Sequence, residues 1–175
     1  MTLPKKPLNA AAKRILAAAD ELFCERGYDA VSMQDIAQRA EVKKAAVFYH
    51  FQSKTGLFER ILHSYYEAHL SLMKDVAAVE GPVRERLHRV LDVYMDFMET
   101  HQRYPRLVQQ QLAAGTGQHD VILRSLEPLL DFTSEILDGL IPEDGPTSAR
   151  QLHLSISALV TQYHLYSPVL GPLWG

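Results

Sequence analysis

The segment Ser32–Lys54, SMQDIAQRAEVKKAAVFYHFQSK, constrains the fold more tightly than any other stretch of the chain. It holds two short helical patterns with room only for a tight turn between them, followed at once by a new helix start. Ser32 can accept a hydrogen bond from a free N–H of the first turn, and Asp35 stands three residues on as its capping-box partner. Val31 and Ile36 occupy the two positions of a hydrophobic staple. Ile36, Ala37 and Ala40 form an inward stripe and leave Gln34, Gln38 and Arg39 toward solvent. A second helix over Lys43–His50 turns Val47 and Phe51 to the core beside Val42, and distributes Lys43, Lys44, Ala46, Phe48, Tyr49 and His50 over its other faces. Two helices joined by so short a turn make a helix-turn-helix, whose second helix enters the DNA major groove. Lysines supply attraction to phosphate, alanines permit close approach, and aromatic and imidazole groups reach phosphates or base edges. The same pattern also fits a helical hairpin in any all-α domain, so pattern alone leaves both readings open.

With its flanks the segment reads AAKRILAAADELFCERGYDAVSMQDIAQRAEVKKAAVFYHFQSKTGLFERIL, and this resembles the N-terminal domain of TetR-family transcriptional regulators. The likeness runs from Ala12 to Leu62 without a gap, and its most specific pieces are ILAAADELFCERGYDAVSMQDIA and FYHFQSKTGLF. The rest of the chain resembles the family only in being helical.

Charge is uneven along the chain. Residues 1–60 carry ten Lys or Arg and seven Asp or Glu, whereas the remainder carries eight and 14, so a cationic head precedes an acidic body. That division suits DNA at one end and keeps phosphate from the other. No apolar run reaches the 18 residues a spanning helix requires, and the N-terminus lacks a signal-peptide core, which points to a cytoplasmic protein with no membrane partner. Met1–Pro7, with Lys5 and Lys6 between prolines, reads as a basic arm. Cys24, the lone cysteine, fits a reducing compartment and reads as a small buried hydrophobe on the first helix.

The first helix, Ala10–Arg26, repeats apolar residues at Ile15, Ala18, Ala19, Leu22 and Phe23 and ends at Gly27. A fourth helix begins at Ser53-Lys54, with Ser53 as cap, and runs through Leu57, Phe58, Ile61, Leu62, Tyr65, Leu72 and Met73 to Gly81-Pro82. The resemblance implies that its N-terminus touches a phosphate, where Lys54 adds charge, and that effector-driven tilting of this helix resets the spacing of two recognition helices. Four further helices are expected. They span Val83–His101, Arg106–Ala114 after a break at Tyr104-Pro105, His119–Leu140 with a kink or split near Leu126 caused by Pro128, and a last helix capped by Thr147 that ends near Pro168. Its inward set reads Leu152, Ile156, Leu159, Val160, Tyr163 and Tyr166.

Family members bind small molecules among the helices after the fourth. Polar or aromatic residues on apolar faces nominate Tyr94, Met98, His101, Gln110, Phe132 and Tyr163: taken singly each fits core packing better, and as a set they suggest an aromatic or otherwise hydrophobic, weakly polar effector. The eight histidines include no pair at i, i+3 or i+4, and no cysteine cluster supports them, so a zinc site has little basis. Nucleophile elbow, Walker loop, Rossmann glycines and HExxH are all missing, so neither an enzyme nor a cofactor is expected.

Departures from the family pattern concentrate in the motif. Glu41 stands where Gly is common in the turn and is strained if the backbone needs positive φ. Lys43 replaces a Ser or Thr cap, Ala45 and Ala46 replace Gly and Thr, and Phe48 replaces a Tyr and its phosphate hydrogen bond. The family's further C-terminal helix has no counterpart before Trp174-Gly175, so dimerisation is expected to use the Leu152–Tyr166 helix with other surfaces, unless a helix lies beyond this sequence.

The expected fold is all-α: an N-terminal three-helix domain with a helix-turn-helix (1–54), then a helical ligand-binding and dimerisation domain (55–175). The expected function is a ligand-responsive transcriptional regulator, a homodimeric repressor on a palindromic double-stranded DNA operator, released by a small-molecule effector. Ser32, Gln34, Lys43, Lys44, Ala46, Phe48, Tyr49, His50 and Lys54 are the expected DNA contacts. The rival reading is a helical ligand-binding or adaptor protein that has lost operator binding.

Overall fold

A computed structural model describes residues 8–115, 117–137, 141–142 and 144–174. Among these the chain is all helical: α1 Ala10–Arg26, α2 Met33–Arg39, α3 Lys44–Phe51, α4 Lys54–Ala77, α5 Val83–Thr100, α6 Arg103–Ala114, α7 His119–Leu137 and α8 Ala149–Trp174. The arm Met1–Pro7 lies outside the described residues.

Local chemistry sets the first four helices. Asn9 caps α1 through its side-chain oxygen, which accepts from the Ala12 amide at 2.9 Å, and Gly27 closes it at φ 82° with its N–H on the Phe23 carbonyl. Ser32 and Asp35 form the expected reciprocal box at the start of α2. Their staple partners Val31 and Ile36 are both buried. Lys43 begins α3 without any side-chain cap. Glu41 adopts φ 54°, the positive φ that its position called for, and Gln52 after α3 also takes a positive φ, at 60° with ψ −44°.

Close packing follows. Ile15, Ala19, Phe23, Ile36, Val47, Leu57, Phe58 and Leu62 are fully enclosed where α1 to α4 meet. Phe23, Tyr28 and Phe58 form a ring triangle with centroids 5.2 to 6.1 Å apart. Gly56 allows the end of α3 to sit on the first turn of α4, because a Cβ there would lie 2.8 Å from the Phe51 carbonyl oxygen. From this base α4 extends 24 residues, roughly 36 Å, and packs against α5 and α7.

The body departs from the sequence expectations at its prolines. α6 starts at Arg103, not Arg106, since Pro105 falls in its first turn, where a missing N–H breaks no bond. Pro128 neither splits nor ends α7, which runs unbroken from His119 to Leu137, and residues 138–140 fall outside the described set. α8 starts after Ser148 rather than Thr147 and continues through Pro168 and Pro172 to Trp174. Pro168 cannot donate to the His164 carbonyl, and the Ser167 hydroxyl donates to it instead at 3.2 Å.

The expected inward stripe of α8 mixes two faces. Val160 and His153 are buried and Ile156 is half-buried, whereas Leu159, Tyr163 and Tyr166 are exposed. Both faces are apolar, so helical spacing alone could not tell which one meets the core.

Candidate nucleic-acid interface

α3 sorts its side chains by depth. Val47 and Phe51 are buried and hold it against α1, α2 and α4. Lys43, Lys44 and Ala45 are exposed, Ala46 and His50 are half-buried, Phe48 is 42% exposed and Tyr49 is 78% exposed. A 78% exposed tyrosine in a small, tightly packed unit has no packing role to explain it. The Tyr49 and His50 rings meet edge to face at 5.1 Å, and the Lys44 ammonium lies 6.0 Å from the Phe48 ring centre. No side chain caps α3, and the Ala46 amide of its first turn donates to the Lys43 carbonyl at 2.8 Å. Gln34 is exposed on the first turn of α2, one helix away.

Two of the expected contacts are committed within the protein. The Ser32 hydroxyl is engaged with Asp35, whose carboxyl is held below the usual carboxylate range by that hydroxyl and by the Ser32 amide. Lys54 is half-buried and does not point outward. Its ammonium donates to the carbonyls of Tyr28 at 2.9 Å, Val31 at 3.1 Å and Asp29 at 3.4 Å, and lies 4.3 Å from the centre of the Tyr28 ring. Those carbonyls offset the cost of a cation at a helix N-terminus.

A polar joint connects this head to the body. The Tyr65 hydroxyl on α4 donates to Asp20 of α1 at 2.8 Å, and Arg103 of α6 lies 3.6 Å from both Asp20 and Glu21. Burial raises the Asp20 pKa above its usual value, against the opposing effects of Tyr65 and Arg103. Cys24 belongs to the same joint. Its thiol donates to the Arg103 carbonyl at 3.4 Å, and burial pushes it up to about 12, which makes it a poor nucleophile.

The expected effector residues divide. Tyr94 and Met98 are buried together on α5, and His101, one turn on, stacks on Phe97 at 4.2 Å. Gln110 lies on the surface and donates to the Cys24 carbonyl, Phe132 sits under the Lys74 ammonium, and Tyr163 is on the exposed face of α8. Sequence reasoning passed over His69, Tyr66, Tyr104 and His153. His69 continues the inward run Leu62, Tyr65, Tyr66 of α4, and that spacing was the available signal. A cleft of about 370 Å³ opens between α4 and α7, with Tyr66, Leu70 and Leu129 among its walls. Among the described residues no cluster of metal-binding side chains occurs and no helix is long and apolar enough to cross a membrane.

Residues 15–61 match the family model described as bacterial regulatory proteins, tetR family. The chain is similar to the HTH-type transcriptional activator FasR of Mycolicibacterium smegmatis, 33% identical over 54% of this chain, and spans 43% of that relative's length. It is also similar to the HTH-type transcriptional repressor BdcR of Escherichia coli K12, 27% identical over 79% of this chain and 81% of the relative. Its fold matches the fatty acid degradation regulator FadR from Bacillus halodurans, with TM-score 0.78 and 17% identity, covering 91% of this chain and 87% of that one.

Proposed function

We propose that this chain, whose residues 15–61 match the tetR-family model, is a helix-turn-helix transcriptional regulator of that family and acts as an effector-released homodimeric repressor on a palindromic operator. The observation that carries the DNA reading is the outer face of α3, where Lys43, Lys44 and Tyr49 stand clear of a core that does not need them and His50 is half-exposed beside them. Lysines 43 and 44 supply phosphate contacts, Tyr49 and His50 reach base edges, and Ala46 permits close approach. Gln34 reads from α2, while Ser32 and Phe48 lie along the backbone. Lys54 serves DNA indirectly, by fixing the chain before α2 to the start of α4. Residues 1–54 form the head and 55–175 the body in this reading. The protein works in the cytoplasm and catalyses nothing.

Dimerisation is supported by α8. Leu159, Tyr163, Tyr166, Val169 and Leu173 follow one another along one side of that helix, all exposed. A stripe of that length on one helix suits a second copy of itself across a two-fold axis. Two heads about 34–36 Å apart then match successive major grooves.

Selection of bound duplexes from a random library at near-physiological salt tests the reading. Enrichment of a palindrome supports an operator-binding dimer, and half-site spacing reports the separation of the heads. A folded protein that enriches nothing supports the adaptor reading instead. In vitro transcription from a promoter carrying the enriched site separates repression from the activation ascribed to FasR.

A further inference from the structure

The body buries two imidazoles, His69 on α4 and His153 on α8. His69 is 3% exposed and His153 is 7% exposed, and the Nε2 atom of each is buried without a hydrogen-bond partner. His69 is sandwiched between the Tyr94 and Phe97 rings, 4.5 and 4.8 Å away and nearly parallel to both. The two are close enough that the charge of His153 acts on His69. An unpaired polar atom in a low-dielectric interior costs about 1–3 kcal/mol, so each of these nitrogens calls for an explanation.

The tautomer of His153 follows from its neighbour. The Thr133 hydroxyl donates its one proton to the Leu129 carbonyl at 2.9 Å. His153 Nδ1, also 2.9 Å from that oxygen, therefore carries the proton and donates to it. This leaves His153 Nε2 as a bare acceptor. What it lacks is a proton donor.

We propose that the effector site of the body receives an uncharged apolar molecule through its hydroxyl group, which donates to His153 Nε2 beside His69. The proposal rests on the effector-responsive reading above and names the chemistry of that effector. A hydroxyl both donates and accepts, so the same group can serve His69, whose ring turns the opposite role to it in one of its tautomers. An ether cannot donate. A carboxylate cannot donate either, and it would need an imidazolium, yet burial and the neighbouring His153 and His101 hold His69 near 3. At neutral pH that ring is charged roughly once in 10⁴. The cleft also opposes an anion, since Glu59, Glu67 and Glu127 surround it with Arg124 as the one full positive charge among its walls. An ammonium could donate, but no acidic side chain acts on either imidazole to balance it. Tyr94, Phe97, Met98 and Val160 form a buried apolar cluster on α5 and α8, and the cleft at Tyr66, Leu70 and Leu129 lies one turn of α7 from Thr133.

The test uses three probes with one apolar body: 4-butylphenol, 4-butylanisole and 4-butylbenzoate, titrated calorimetrically into the full chain. 4-Butylphenol is expected to bind about five- to tenfold more tightly than the methyl ether, the loss typical of one hydrogen bond, with the benzoate weakest. His153→Leu should erase the gap between phenol and ether and His153→Gln should restore part of it, with melting curves reporting the fold of each. Thr133→Val, which releases His153 Nδ1, should narrow the gap by a separate route. Equal binding of phenol and ether, a preference for the benzoate, a gap that survives His153→Leu and Thr133→Val, or no phenol binding up to its solubility would each overturn the proposal. Operator selection is read without any probe. Its failure with the phenol preference intact counts against the DNA reading alone, and the reverse result counts against the hydroxyl site alone.

Discussion

The head and the body of this molecule are built to different standards. Around α1 to α4 the core side chains are enclosed, α1, α2 and α4 carry side-chain caps, and the inward-facing Lys54 has three carbonyls. In the body, α8 presents Leu159, Val169 and Leu173 to solvent at 70% exposure or more. His69 and His153 remain buried with unsatisfied nitrogens. A part that must present a fixed face to DNA has its interactions completed by its own sequence. A part that must accept a second copy and a small molecule leaves those interactions open for them. The contrast predicts where substitutions cost stability and where they cost function.

The largest expected effect is on the head. Lys54→Met keeps most of the aliphatic stem but strips three carbonyls and the Tyr28 ring of their cation. Charge-assisted hydrogen bonds of this kind support a loss of about 2–3 kcal/mol in chemical denaturation. If Lys54 were instead a phosphate contact, the variant would melt like the parent and lose only operator affinity. That outcome would break the distinction between a closed head and an open body.

A smaller effect of opposite sign is expected in the body. His69 refuses a proton in the folded state until about pH 3, whereas the unfolded chain takes one from about 6.5 downward. Folding stability contributed by this residue is therefore whole above 6.5 and falls progressively as pH drops toward 3. His69→Phe keeps a flat ring between Tyr94 and Phe97 and removes the titration. The stability of the variant relative to the parent should be greater at pH 5 than at pH 7.5 by about 2 kcal/mol. His153, also buried and held below its usual range, stays in both proteins and gives each the same residual acid sensitivity. Parallel melting curves at pH 5 and 7.5 decide it, and a gap that does not change with pH would mean that His69 is ordinarily protonated.

The two regions were unequally legible in the sequence as well. Ser32, Asp35, Val31, Ile36, Val47 and Phe51 were readable because capping and helical periodicity are local, and the structure puts each where its type demands. Lys54 was readable as a charge but not as a clamp. Its partners are carbonyls more than 20 residues away, and carbonyls leave no mark in a sequence. On α8 the pattern was apolar on two sides, and only the position of α5 and α7 decides which side is inner. The end expected near Pro168 failed for a physical reason that composition hides: a freed carbonyl costs little when a serine hydroxyl, as at Ser167, is there to bond it. His69 and His153 belong to different helices, so their proximity could not be read from spacing at all.

Glu41→Gly sharpens the comparison from within the head. Glu41 holds φ 54°, which costs a side-chain-bearing residue about 1–2 kcal/mol, part of which glycine gives back in the entropy of the unfolded chain. A net gain of about 1 kcal/mol in the denaturation midpoint is expected, with tighter operator binding because a carboxylate leaves the motif. A loss of stability would show that Glu41 is held by a contact stronger than its strain.

The smallest expected change in stability, and the cleanest functional one, is Lys44→Ala. Lys44 is exposed, and its nearest ring, Phe48, lies 6.0 Å away, so removing it should alter folding by less than about 0.5 kcal/mol. Each phosphate contact displaces close to one counterion, so the slope of log affinity against log salt should flatten by about 0.9 for each half-site. The loss should be similar for every operator variant, because a phosphate contact carries no base preference. A Tyr49→Phe variant, matched in stability, should instead lose affinity for some operator sequences and keep its salt slope. If both substitutions change the slope alike, α3 tracks the backbone without reading bases, and the exposed side of the head is no more specific than a charged surface.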